Sequence, residues 1–449
     1  MRSLFVALVV GLAACAIDFS GYRLSDPASG GGAATGGGGR GGAGGGAGGT
    51  TGVDAVAVGS DHSCALRDGK LWCWGGNASG QLGVEGVSQS AEPVHVTSAN
   101  AGMCGSSVAD TPSPIGLVAR VTAGARHTCA ALVSGGTEMG SGLCWGDNSK
   151  GQAGPSPSGS VTLPSPVFDQ NGCPLTNVSA LDAGVDHSCI YAGGEQGRMF
   201  CFGSNESGQA VPCYPTATHP PFKLEKAADD ALVPQQVALG HRHGCAAEGN
   251  VVYCWGGDTH GELGDGDEGA GGQGGAGGQG GGDDCVMRPV VAARSFTNIT
   301  AMDAGNDHTC VIDDGALYCW GSNAGGQLSD QPPEVHVPTK ILDEPVAAVA
   351  CGEKHTCAAL VMSGEVRCWG SNDEGQLGPG FTGGLSKSPV VVPLPPVATL
   401  DSRYRHTCAV TTTGEVYCWG RAESGQLGPA VNPGPGSKSA SPVLVPIGL

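Results

Sequence analysis

Histidine and cysteine recur in this chain at a spacing that could hold metal ions. Seven pairs read His-x-Cys: His62 with Cys64, His127 with Cys129, His187 with Cys189, His243 with Cys245, His308 with Cys310, His355 with Cys357 and His406 with Cys408. Each is followed by a second cysteine: Cys73, Cys144, Cys201, Cys254, Cys319, Cys368 and Cys418. Residues two apart on a strand share a face. Each copy therefore offers one imidazole and two thiols, a set suited to zinc. The alternative chemistry is oxidation, in which the two cysteines of a copy join each other.

The residues between the cysteines favour oxidation. Asp68-Gly69 suits a two-residue hairpin turn. Counting outwards from it, Arg67 faces Lys70, Leu66 faces Leu71 and Cys64 faces Cys73. The same count centres the pair Cys245 and Cys254 on Gly249-Asn250, and the pair Cys310 and Cys319 on Asp314-Gly315. Opposed residues on antiparallel strands lie about 4.5–5.5 Å apart at Cα, within disulfide reach. One disulfide per copy is predicted: Cys64 to Cys73, Cys129 to Cys144, Cys189 to Cys201, Cys245 to Cys254, Cys310 to Cys319, Cys357 to Cys368 and Cys408 to Cys418.

The chain's start supplies the compartment. Met1 to Cys15, MRSLFVALVVGLAAC, has one basic residue, an apolar run from Leu4 to Leu12 and then small residues. The run is too short for a permanent span and reads as an export signal over residues 1–14. Leu12-Ala13-Ala14-Cys15 resembles the bacterial lipobox, which implies lipidation of Cys15 and a membrane anchor without a spanning helix. Ala16, rather than an acidic residue, resembles lipoproteins sorted to the outer membrane. Export favours disulfides over thiolates. Gly30 to Gly52 is nearly all Gly, Ala, Thr and Ser, so residues 15–52 read as a lipidated cysteine with a flexible tether; taken as a random coil, 30–52 reaches about 25–30 Å.

From Val53 onward the chain is repetitive. Around the His-x-Cys…Cys core stand Gly-x-x-His, Trp-Gly, Asn and Gly-Gln-Leu-Gly, as in His355-Thr356, Trp369-Gly370-Ser371-Asn372 and Gly375-Gln376-Leu377-Gly378. This unit resembles the repeat of the regulator of chromosome condensation family, in which two apolar positions per copy are here cysteines. The resemblance runs over residues 53–449 and implies an all-β seven-bladed propeller with one four-stranded blade per repeat. The family keeps the histidine without either cysteine, which implies that the histidine is structural. Fourth strands are expected to start at Pro93, Pro166, Pro234, Pro289, Pro338, Pro389 and Pro442. The terminal segments are expected to close the ring, since an open ring would expose sheet edges.

Trp74, Trp145, Trp255, Trp320, Trp369 and Trp419 share one strand position, and Phe202 fills it in the third copy. They read as packing between blades, not as a stacking ring for ligands. No Gly-Gln-Leu-Gly loop sits between a strand and a helix, so none reads as a phosphate cradle. Asp265-x-Asp267-Glu268 has a partial calcium-loop pattern, but Gly269 stands where the next oxygen ligand belongs. Of the remaining cysteines, Cys104, Cys173, Cys213 and Cys285 lie in insertions whose pairing stays open, and Cys351 reads as a small buried residue.

Function has to come from what varies. The segment Pro212 to Ala231, with Tyr214, His219, Phe222 and Lys223, is the candidate partner-binding loop. Net charge is −19 with no basic stripe, which disfavours nucleic acid. No nucleophile–base or metalloprotease motif is present, and neither catalytic residues nor a cofactor or metal is expected. The expectation is a monomeric, lipid-anchored cell-envelope scaffold that binds a protein. An enzyme inhibitor, like the bacterial β-lactamase-inhibiting propeller whose repeat this one resembles, is the first alternative. A carbohydrate-acting or carbohydrate-binding propeller is the second; loops poor in aromatics argue against it. Nucleotide exchange and chromatin contact, roles found in the family, need cytosolic or nuclear partners that an exported chain would not meet.

Overall fold

The structure, a computed structural model, describes residues 52–448 apart from 103, 105–111, 134–139, 155–156, 158, 195–196, 212–217, 228–229, 267–287 and 290–294. The expected signal, Cys15 and nearly all of the tether lie outside the described residues. So do Cys213, Cys285, Tyr214, Asp267 and Glu268.

Seven antiparallel sheets follow one another along the chain, and each is drawn from one continuous stretch. Blade 1 comprises strand A Ala55–Val58, B His62–Arg67, C Lys70–Gly76 and D Gln89–His95. The other blades repeat this order, with their A strands at Val118–Ala123, Ala180–Ala183, Gln236–Leu239, Ile299–Ala304, Val346–Cys351 and Val397–Arg403, and blade 3 adds a fifth strand, Asp230–Ala231. Neighbouring sheets pack face to face in the arrangement of a seven-bladed propeller. A strands and the hairpins of B and C are almost wholly buried, whereas the D strands run along the rim and are half exposed.

The hairpin turns set the register. Asp68 and Gly69 both have positive φ, +52° and +72°, as do Asp314 and Gly315, which is the backbone a two-residue turn between twisted strands requires. Cys64 consequently faces Cys73. In blades 2 to 4, Cys129 faces Cys144, Cys189 faces Cys201 and Cys245 faces Cys254. In blades 5 to 7, Cys310 faces Cys319, Cys357 faces Cys368 and Cys408 faces Cys418. All seven pairs are joined as disulfides with their Cα atoms 4.1 Å apart, so the sulfurs are spent on each other and not on a metal. An eighth disulfide, Cys104–Cys173, ties the link between blades 1 and 2 to the link between blades 2 and 3. Cys351 is buried and keeps its thiol.

The prolines do not start the D strands. Pro93, Pro338, Pro389 and Pro442 sit inside Gln89–His95, Glu334–Lys340, Leu385–Val392 and Lys438–Val445. Each lies where the pairing with strand C slips register. A bulge on an edge strand leaves one residue without a ladder bond, so proline costs nothing there. Pro166 ends its strand, Ser160–Pro166. Blade 3 departs further: its D strand is Thr218–Ala227, and Pro234 follows it. Most of the segment read as a partner-binding loop is therefore rim strand. Lys223 pairs with Phe200, Phe222 with Cys201 and His219 with Gly203; Lys223 is exposed and Leu224 buried, the alternation of a strand with one wet face.

The ring closes as expected at the terminal segments, but without an exchanged strand. Val53 N donates to Gly414 O at 3.0 Å, and Arg67 Nη1 donates to Ile447 O at 2.6 Å. Val56, Val58 and Trp74 of blade 1 share one apolar cluster with Val410, Val416 and Leu427 of blade 7.

Candidate functional site

The recurring histidines, hydroxyl residues and tryptophans of the repeat are committed to the seams between blades. At six of the seven seams, a histidine Nε2 meets the hydroxyl that follows the histidine of the next blade. The pairs are His62–Thr128, His127–Ser188, His243–Thr309, His308–Thr356, His355–Thr407 and His406–Ser63, at 2.8–3.0 Å. That hydroxyl donates onward in turn: Thr128 to Gln81 O, Ser188 to Gln152 O, Thr356 to Gln327 O and Ser63 to Gln426 O. The same backbone carbonyls accept a tryptophan Nε1–H, as in Trp145 to Gln81 O and Trp74 to Gln426 O. Since the hydroxyl spends its proton on the carbonyl, the histidine must be the donor. In these four series the donor is the histidine Nε2–H. Burial pushes His127, His355 and His406 down to about 3.

The glycine of Gly-x-x-His is fixed by contact. A Cβ on Gly352 would stand 2.0 Å from Cε1 of His355, and one on Gly59 would stand 2.2 Å from Cε1 of His62. Blade 7 alone has no glycine here. Its Arg403, 1% exposed, reaches across the ring to donate to the carbonyls of Ala183 and Leu239 in blades 3 and 4. The other exception is the seam between blades 3 and 4, where Gly244 replaces the hydroxyl residue and both nitrogens of buried His187 lack a partner. Trp255 and Leu239 occupy that space, 2.6 and 2.8 Å from where a Gly244 Cβ would lie.

The two residues between glycine and histidine are what the lattice leaves unspecified. Backbone bonds link these turns round the ring, for example Ser60 N to Ala125 O and Glu353 N to Tyr404 O. Their second residues are Asp61, Arg126, Asp186, Arg242, Asp307, Lys354 and Arg405. The sign alternates until Lys354 and Arg405, where an odd ring must bring two like charges together. Acidic residues gather at that point: Arg405 meets Glu353 at 2.7 Å and Glu374 at 3.7 Å, and Lys438 meets Glu374 at 3.6 Å. A small polar cleft lies there, lined by Glu353, Lys354, Ser371, Asp373, Gln376 and Arg405. The C–D loops with Gly-Gln-Leu-Gly share this face, as Gly76 N bonding Asp61 O shows.

Blade 4 carries a titrating variant of the same loop. Glu262 replaces the glutamine of the other copies and is 4% exposed. Burial raises it to about 7, and repulsion from Asp307 adds to this. His260 beside it is raised by its hydrogen bond to Glu334, 2.9 Å away. A carboxyl whose folded value exceeds its unfolded one contributes stability at low pH, and that contribution fades as pH rises from the unfolded value through the folded one. Glu262→Gln is therefore expected to stabilise the protein by up to about 3 kcal/mol at pH 8. The gain should vanish near pH 4.5; denaturant midpoints at the two pH values measure it.

Two family models for the regulator of chromosome condensation (RCC1) repeat match the chain, one at residues 68–131 and 314–359, the other at 53–81, 299–327, 346–376 and 404–426. The repeats in these residues match the RCC1 repeat. The matches skip residues 132–298, where RCC1 spacing is stretched by insertions and where Phe202, Gly244 and Glu262 replace usual residues. The Arabidopsis thaliana ultraviolet-B receptor UVR8 is 28% identical over 79% of this chain and 74% of its own length. A Bos taurus secretion-regulating guanine nucleotide exchange factor is 28% identical over 65% of this chain; the match spans only 57% of the exchange factor. Among solved structures, human WBSCR16 superposes with a TM-score of 0.61 at 21% identity, over 84% of this chain and 94% of that one. That likeness bears on the fold.

The structure brings the fourteen hairpin cysteines together in pairs inside the blades, away from the variable turns. It leaves Lys223 on an exposed rim strand. Sequence reasoning passed over the turn residues and Arg403. The turns had an available signal: between a glycine present in six copies and an unvarying histidine, two positions change from copy to copy.

Proposed function

We propose that this protein is a non-catalytic, lipid-anchored scaffold of the bacterial cell envelope, held by Cys15 and binding a protein partner on the face that carries the A–B turns. The observation that carries this reading is the contrast within each repeat. Residues that build the ring are used up in seam contacts, while the turn pair varies in charge from blade to blade on a rigid frame. Variable positions on a fixed scaffold are where specificity is written. One relative is named a guanine nucleotide exchange factor, and an exchange factor works on another protein, which supports a protein partner for this chain as well. The export signal and lipobox support the envelope address.

The test uses the full chain expressed in a bacterium. Cys15→Ala is expected to move it from the membrane fraction to the soluble fraction. Cross-linking in the envelope should capture a stoichiometric protein, lost in the double variant Arg126→Glu/Arg242→Glu but kept when the rim residue Lys223 is changed to glutamate. Capture that survives the turn changes but fails at Lys223 would move the site to the rim. Recovery of glycan in place of protein would overturn the scaffold reading.

A further inference from the structure

Cys351 has a neighbour that no other blade offers. It stands on strand A of blade 6 opposite Thr356, a position filled elsewhere by Val58, Ala123, Ala183, Leu239, Ala304 and Ser402. Side chains at this position point across the seam at the histidine of the preceding blade; Ser402 Oγ lies 3.2 Å from His355 Nε2. With cysteine there, a sulfur faces blade 5. The Sγ atoms of Cys351 and Cys310 and a ring nitrogen of His308 all lie within 4.8 Å of one another, and all three residues are buried. Cys310 is already bonded to Cys319, so the cluster as it stands is a thiol beside a disulfide. The thiol donates to the Asp303 carbonyl at 3.7 Å.

We propose that Cys351 is the exchange partner of Cys310, giving blade 5 two disulfide registers: Cys310–Cys319 within the hairpin and Cys310–Cys351 across the seam to blade 6. Cys351 loses its proton and its Sγ bonds to Cys310 Sγ. The Cys310–Cys319 bond breaks, its electron pair leaves on Cys319 Sγ, and Cys319 takes up a proton. Sulfur oxidation states balance, so no oxidant or reductant is consumed. The attacking species is the thiolate, so exchange quickens as pH rises. A disulfide spans about 2.05 Å, and the seam must give by a few ångströms for the new bond to form; exchange therefore accompanies transient loosening of blades 5 and 6. The product converts a link inside one blade into a staple between two; among the described residues, none of the other six hairpin disulfides has a free thiol beside it.

Removing the competing partner tests this in the full chain. Cys319→Ala, purified under oxidising conditions, blocked with N-ethylmaleimide and digested without reduction, should yield a Cys310–Cys351 linked peptide. Cys418→Ala is the control, because it removes the equivalent partner in blade 7, where no third sulfur lies among the described residues, and Cys408 should come out blocked. Cys310 recovered blocked in the first variant, or linked to any cysteine other than Cys351, overturns the proposal. A second measurement needs no variant. Wild-type chain held at pH 8 in mild urea and then quenched with N-ethylmaleimide should carry label on Cys319 as well as Cys351, increasingly so at higher pH. Label confined to Cys351 at every pH sinks the idea.

Discussion

Acidification is expected to weaken this propeller already above the pH at which ordinary carboxylates protonate, and to unfold it by about pH 3.5. His127, His355 and His406 are held near 3 by burial, with the Arg403 charge adding to the effect at His127. His187 is also held far below its ordinary value, chiefly by burial. Groups with depressed folded values contribute stability that is complete above the unfolded value, near 6.5, and is lost as pH falls towards 3. By pH 5 each of the first three has lost about 2 kcal/mol, or roughly 6 together. Glu262 works the other way and returns about 2 of this over the same interval. The net loss is a large part of the 5–15 kcal/mol that typically separates folded from unfolded chains. Burial raises Asp186 as well as Glu262, so the slope of stability between pH 6.5 and 5 reports the histidines against the opposing pull of these two carboxyls. Tryptophan emission followed through a pH titration measures it, because six buried indoles become wet on unfolding. Native emission maintained at pH 3.5 would show that the rings are not locked neutral. His355→Gln, which keeps a donor for Thr407, should flatten the slope.

Full reduction is expected to have the largest effect of all. The seven hairpin disulfides close loops of 9 to 15 residues. Chain entropy values each at about 2.5–3 kcal/mol, near 19 kcal/mol in sum. Their reduced side chains would still fill the core as small apolar groups. The loss therefore acts through the unfolded chain, which regains its freedom. Even half of the sum exceeds the stability of many domains. Chain made in a reducing cytosol, or reduced and alkylated in denaturant and then diluted, should lack native tryptophan emission and strand circular dichroism. Exported chain should show both. Recovery of the native spectrum by the alkylated chain would mean that the seams suffice without the cross-links. Because the sulfurs are buried, reduction under native conditions should be slow and track opening of the blades.

The fold could be read from the sequence because its information is local and repeated. A two-residue turn at Asp68-Gly69 dictates which residues face each other within a hairpin, and seven repetitions dictate a ring. Longer turns did not spoil the reading: Cys129, Cys189 and Cys357 meet their partners across 15, 12 and 11 residues as they would across nine. The outer strands were harder. Proline at a bulge looks like proline at a strand start, so Pro234 drew the reading away from Thr218–Ala227, whose Pro220-Pro221 lies at the register slip. The seam chemistry was not legible at all. His406 meets Ser63 and Trp74 meets Gln426 across more than three hundred residues, and no local pattern announces that a histidine, a hydroxyl and a carbonyl will be strung in series. Arg403 was hidden for the same reason: its partners belong to the far side of the ring. The variable turn was visible as variation, yet only the geometry puts its seven copies on one face.

Each blade is cut from one uninterrupted length of chain, and the seam between blade 7 and blade 1 uses the same histidine–hydroxyl–carbonyl series as four others. The ring is thus indifferent to where its polypeptide begins. A blade can be gained or lost whole by duplication or deletion of one repeat without leaving half a sheet behind. Joining Leu449 to Val53 through a short linker and opening the chain between any two other blades would preserve every seam bond, so the order of the blades, and not the position of the ends, is what the architecture inherits.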